Sequence, residues 1–310
     1  REFLNLYRSM LLDDYFLYYH YQDQLIYFLS GDADYKDYLP MSARYLNLIL
    51  SYILYIIVPC VELTNLASLE NKHELFQCST MSVALLNHLM KYLFIVIFFL
   101  YMKNNLKSDT ATSIIGVFLS SIFFLYLEPY TMDRLVVTYI LLALFFNDKK
   151  PILTIILLCS FLVNEKVILL LGPYYFLQFV FLPNQKKENL YKVILLMIAS
   201  FMYFSMIFLL KKYGGYNFSE VYDQRGFDRI LLNFFDKSHL SNSIMPVVFC
   251  FVPYIVYLIN KKKYNLNFTG YEFLIILPLI FLGYGGGENN IGRYAMHSSP
   301  IWLPLLTLQL

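Results

Sequence analysis

Asp13 and Asp14 stand side by side in LLDDYFLYYH, a polar, tyrosine-rich stretch set against apolar sequence. A carboxylate at a water–membrane boundary can act as a general base on an acceptor hydroxyl. Three further charged clusters recur where apolar runs end: Glu128 and Asp133 with Arg134, Glu165 with Lys166, and Glu288 with Arg293. A Lys or Arg in such a place can hold a phosphate, and Arg does so bidentately. Charges at membrane depth are costly, which makes each cluster a functional candidate.

Each cluster also has a structural reading. Asp13 and Asp14 suit the cap and first turn of an interfacial helix. Asp133-Arg134 suits a helix start, Glu165-Lys166 a solvated tight turn, and Arg293 a snorkelling side chain. His88 and His297 read as interior groups, and the glycines of GYGGGENN (283–287) as an outer loop. No Gly-rich phosphate loop, zinc spacing or nucleophile elbow occurs. The four cysteines, Cys60, Cys78, Cys159 and Cys250, show neither pairing nor metal spacing, and three fall in apolar runs as small hydrophobes.

Repeated apolar runs must position these groups. Hydrophobic residues make up 58% of the 310 and charged residues 15%, with a mean hydropathy of +0.53. Such values lie far from those of soluble domains. Runs near membrane-crossing length then predict an all-α, polytopic transmembrane helical bundle. The short alternating segments of a β-barrel are absent. Net charge of +2 says little about partners, and no basic patch suggests nucleic acid, so no nucleic-acid partner is expected.

One transmembrane domain is expected over 1–310. Residues 1–44 form a non-cytoplasmic acidic loop with an interfacial helix, and 45–310 hold the spans and short loops. The runs are 45–61, 81–102, 112–127, 135–146, 151–163, 167–182, 191–210, 243–260, 271–284 and 294–310. The pair 151–163 and 167–182 is short for full crossings and suits tilted or protein-shielded helices. Part of 211–242 reads as a second interfacial helix. Lys103 with Lys107, Lys149 with Lys150, Lys186 with Lys187, and 261–263 alternate onto one face, the cytoplasmic one. Parity leaves 45–61 either crossing or lying in the outer interface. The chain begins at Arg1 and ends at Leu310 inside an apolar run, and further spans are expected beyond both ends.

The order of these features resembles the GT-C superfamily of membrane glycosyltransferases, in the branch of protein O-mannosyltransferases and aminoarabinose transferases. The residues that carry the likeness are DDYFLYY, PMSARYLNLIL, EPYTMDRL, NDKKP, NEK and RYAMHSSPIWLPLL. Pro40 stands alone where the family has a proline pair. The resemblance implies sugar transfer from a polyisoprenyl-phosphate donor to an acceptor hydroxyl (of a glycan, lipid or protein) on the non-cytoplasmic face. Asp13 or Asp14 would be the catalytic base. Asp133 and Glu165 would position the acceptor or a divalent metal ion, and Lys166 and Arg293 would meet the donor phosphate. It also implies outer-face interfacial helices and a bacterial inner, plasma-membrane location. A transporter or flippase would use the same buried charges as a substrate path. An O-antigen-type polymerase of cell-envelope glycans also has many spans, with outer loops richer in arginine than the acidic ones here.

Overall fold

The structure, a computed structural model, describes residues 25–26, 29–30, 45–58, 74–126, 131–214, 259, 297 and 299–307. Among these residues every regular element is a helix. In chain order they are α1 (Tyr45–Ile57), α2 (Glu74–Leu100), α3 (Thr110–Tyr126), α4 (Thr131–Phe145), α5 (Lys150–Val163), α6 (Glu165–Phe181), α7 (Lys186–Gly214) and α8 (Ser299–Thr307). One π turn, Tyr101–Asn105, extends α2, and a 3-10 turn, Pro183–Gln185, precedes α7. The expected span 243–260 apart from Ile259, the span 271–284, the interfacial helix within 211–242 and most of 1–44 lie outside the described residues.

Local chemistry sets the helix ends. Asp109 caps α3, accepting the Thr112 N–H at Oδ1 and the Thr112 hydroxyl at Oδ2, both at 2.8 Å. Pro151 sits in the first turn of α5, where a backbone N–H would lack an intrahelical partner anyway. Helices α2 and α7 begin at Glu74 and Lys186, ahead of the apolar runs starting at 81 and 191. Hydropathy marks the stretch that suits lipid, whereas the polar first turns are helical as well.

Hydrogen bonds between elements fix the topology. The Thr138 hydroxyl donates to the Met90 carbonyl at 3.3 Å, and Asn105 Nδ2 donates to the Phe145 carbonyl at 3.0 Å. Helices α2 and α4 therefore run parallel, and α3 carries the chain back from the end of one to the start of the other. The Tyr139 hydroxyl reaches the Ile156 carbonyl at 2.8 Å, which pairs α4 antiparallel with α5. Thr154 and Tyr191 hydroxyls meet at 2.8 Å and set α7 alongside α5. The turns bearing Lys103, Lys107, Lys149, Lys150, Lys186 and Lys187 thus converge on one end, called here the lysine end. The junctions before α4 and between α5 and α6 lie at the other.

Helix α4 is the axis of the bundle. Residues 134–141 are buried without a gap, so this helix faces protein on every side. Its core joins Phe94, Phe98 and Met102 of α2 to Leu153 and Leu157 of α5 and Leu170 and Leu171 of α6. At 14 and 17 residues, α5 and α6 reach only about 21 and 26 Å at 1.5 Å per residue. Protein shielding of α6 is visible, since eight of its residues are buried, from Glu165 to Gln178. Helix α1, with 13 residues, reaches roughly 20 Å against about 30 Å of hydrocarbon. It packs Leu48 with Leu25 and Val83 near the start of α2.

The exterior is oily. Ile114 and Phe118 on α3, and Met197, Phe201, Phe204 and Phe208 on α7, are exposed. Among the described residues two segments, Met81–Asn105 and Pro183–Leu210, are long and apolar enough to cross a membrane.

Candidate functional site

The expected Glu165-Lys166 cluster is built by a one-residue junction. Asn164 ends α5 and starts α6, with extended backbone at φ −175° and ψ 144°. Its N–H donates to the Ser160 carbonyl at 3.3 Å, and its Oδ1 accepts the Lys166 N–H at 2.9 Å. An extended residue flanked by two helices reverses the chain without a loop, and the side-chain amide satisfies one of the orphan donors at the new N-terminus.

This junction is buried, which corrects the reading of a solvated turn. Lys166 is 1% exposed, Glu165 8%, and Asn164 fully enclosed. Glu165 in a first turn suits the positive end of the helix dipole, whereas Lys166 opposes it. The Tyr203 hydroxyl of α7 donates to Glu165 Oε2 at 3.0 Å and fixes that carboxylate. Arg134 lies in the first turn of α4, at the same end of the bundle, and is 1% exposed. Arg134, Glu165 and Lys166 each engage in hydrogen-bonding or electrostatic interactions beyond these.

The arrangement has a consistent electrostatic sense. Two helix N-termini, each carrying a partial positive charge, present two buried cations at one end of the molecule. Keeping cations out of water beside positive dipole ends is expensive unless anionic groups face them. Glu165, whose carboxylate the Tyr203 hydroxyl holds at 3.0 Å, is one such acidic group at this end.

The other expected site residues stand differently. Asp133 falls in the first turn of α4, but its side chain lies outside the described set. Asp13, Asp14 and Arg293 lie outside the described residues, as do Glu128 and Glu288. Among the described residues no group of three or more His, Cys, Asp or Glu side chains could hold a metal ion. His297 is fully buried, as an interior group should be. Cys78, near the start of α2, is disulfide-bonded, while Cys159 is free. Sequence spacing showed no pairing because a disulfide needs only spatial proximity.

A second polar cluster, at the lysine end, escaped the sequence reading. Lys192 Nζ donates to Asn147 Oδ1 at 2.8 Å, pairs with Glu188 Oε1 at 3.0 Å, and lies 5.1 Å from the centre of the Tyr175 ring. The Glu188–Lys192 spacing of four on one helix was the available signal.

No protein-family model matches this chain, and neither a curated protein nor a solved structure matches it.

Proposed function

We propose that the chain is a multi-pass integral membrane glycosyltransferase of GT-C type. It would move a sugar from a polyisoprenyl-phosphate donor to an acceptor hydroxyl on the non-cytoplasmic face. The observation that carries this reading is the burial of Lys166 and Arg134 at two positive helix ends on one side of an oil-faced bundle. A lipid-linked phosphate supplies the anion that such a place favours, and the apolar exterior gives its hydrocarbon tail a path along the helices.

The chemistry is a displacement at the anomeric carbon. The acceptor oxygen forms the new glycosidic bond while its proton passes to a carboxylate, for which Asp13 or Asp14 is the candidate. The bond from the anomeric carbon to the phosphate oxygen breaks, and the leaving polyprenyl phosphate keeps the electron pair. Lys166 and Arg134, with Arg293, stabilise that developing charge. Glu165 or Asp133 positions the acceptor hydroxyl. The disulfide at Cys78 supports the side of action: it lies toward the end away from the lysines, and disulfides persist in oxidising compartments.

The test is transfer of radiolabelled sugar from polyprenyl-phosphate donors in membranes, comparing the full chain with Asp13→Asn, Asp14→Asn, Lys166→Met and Lys166→Arg. Removing a charge-stabilising donor typically costs about 10²–10³ in rate, so Lys166→Met should collapse transfer while Lys166→Arg keeps part of it. Collapse in one Asp variant, with normal insertion, identifies the base. Equal transfer by all variants removes these residues from the chemistry, and no transfer from any such donor overturns the reading.

A further inference from the structure

The lysine end carries an open cleft of about 920 Å³ between the start of α5, the end of α6 and the start of α7. Lys150, Lys186 and Lys187 stand around it, with Phe179, Leu190 and Tyr191 as apolar and aromatic wall. The acid on that wall, Glu188, is already paired with Lys192 at 3.0 Å, so the cleft keeps an excess of positive charge. Lys186 Nζ is held 5.4 Å from the centre of the Phe179 ring, which keeps its ammonium at the rim. Thr154 binds the Tyr191 hydroxyl at 2.8 Å and fixes the floor.

The cleft also has a direction. Leu190 begins a stripe on α7 that continues through Ile194, Met197 and Phe201, all exposed. Their spacing of four, three and four keeps them on one face of the helix. A charged mouth thus opens onto an apolar track running toward the middle of the bundle. Three cations at one end and an oily stripe above them match a ligand with an anionic head and a hydrocarbon tail. Neither a soluble anion nor an acidic peptide would use the stripe.

The geometry points to a binding site for an anionic glycerophospholipid at the lysine end, separate from the site of Arg134 and Lys166. The headgroup phosphate sits among Lys150, Lys186 and Lys187, and an acyl chain lies along Leu190, Ile194, Met197 and Phe201. This inference rests on the membrane-embedded part of the reading above and on nothing in its sugar chemistry. Basic pockets between helices at the cytoplasmic face are suited to such headgroups.

The experiment is native mass spectrometry of the full chain in detergent, titrated with phosphatidylglycerol and with phosphatidylcholine. Each lysine near the headgroup is worth roughly fivefold in affinity. The triple variant Lys150→Gln, Lys186→Gln, Lys187→Gln should therefore lose roughly a hundredfold in phosphatidylglycerol affinity. The triple Lys→Arg variant should keep it. The double variant Lys103→Gln, Lys107→Gln removes charge from the same end outside the cleft and should also keep it. Equal binding of the two lipids by the native chain overturns the inference, and so does equal loss in the double and triple glutamine variants. Displacement of the lipid by millimolar inorganic phosphate alone would make this a soluble-anion site and overturn the lipid assignment. A chain that washes off membranes at alkaline pH would sink this inference together with the membrane reading. One that stays embedded without lipid preference sinks this inference alone.

Discussion

Asn164 is the residue on which the candidate phosphate site hangs, and its replacement gives the sharpest test of the geometry. In Asn164→Ala the Lys166 N–H loses its acceptor at 2.9 Å in a fully buried position. A lost N-cap costs about 0.5–2 kcal/mol, and a buried unsatisfied donor about 1–3 kcal/mol. These are two views of one loss, so the sum is not taken and a destabilisation of about 1–3 kcal/mol is expected. Asn164→Ser keeps a capping acceptor. It also deletes the Nδ2 group, which has no hydrogen-bond partner among the described residues. Its loss should stay below about 1 kcal/mol, since Ser and Asn cap equally well. The assay is reversible unfolding of the purified protein in mixed micelles titrated with a denaturing detergent, read by the far-ultraviolet helix signal. Equal stability of Ala and Ser variants would refute the cap, and an Ala variant as stable as the native chain would refute the burial of the junction.

Two further perturbations probe the frame around that site. A Cβ on Gly116 would meet Phe98 Cε1 and Thr307 Cγ2 at 3.0 Å each, where α3 passes close to α2 and α8. Phe98 is fully buried and has no room to swing away. Gly116→Val should therefore destabilise by roughly 1–3 kcal/mol in the same unfolding titration, as overpacked cores do, and an unchanged midpoint would refute that close approach. Asp109 is exposed, and hydrogen bonds from the Thr112 backbone and then the Thr112 hydroxyl hold its carboxyl below the ordinary 3.8. A lowered folded-state value means that its contribution is complete above the unfolded value and is lost as pH falls through the folded one. Asp109→Asn keeps a capping oxygen without the titration. The stability difference between native chain and variant should be constant above about pH 5 and shift only below the ordinary carboxylate range. A difference that changes between pH 5 and 8 would contradict the assignment.

Much of this molecule is written locally. The described parts of the apolar runs at 81–102, 112–127, 135–146, 151–163, 167–182 and 191–210 fall on helices to within a residue of their ends, because backbone groups in apolar surroundings must bond within their own segment. Asp109, Pro151 and Asn164 mark helix starts through contacts a few residues away, and such signals survive in sequence order. Alternation of the spans carried the lysine-bearing turns to one end, and the hydrogen bonds between α2, α4, α5 and α7 place them there. Charge clusters could be picked out as candidates, but not sorted into buried and solvated ones. Glu165-Lys166 fits a wet turn as well as a site until the bundle closes over it, and Arg134 beside Asp133 fits an interfacial helix start as well as a buried cation.

What tertiary structure alone decided depends on partners distant along the chain. Tyr203 finds Glu165 across 38 residues, and Lys192 finds Asn147 across 45. The cleft at the lysine end likewise needs several helices brought together. Periodicity and capping act over one or two turns and are legible in any window of sequence. Desolvation of a charge is set by every neighbour that excludes water from it, and those neighbours exist only once the helices have packed.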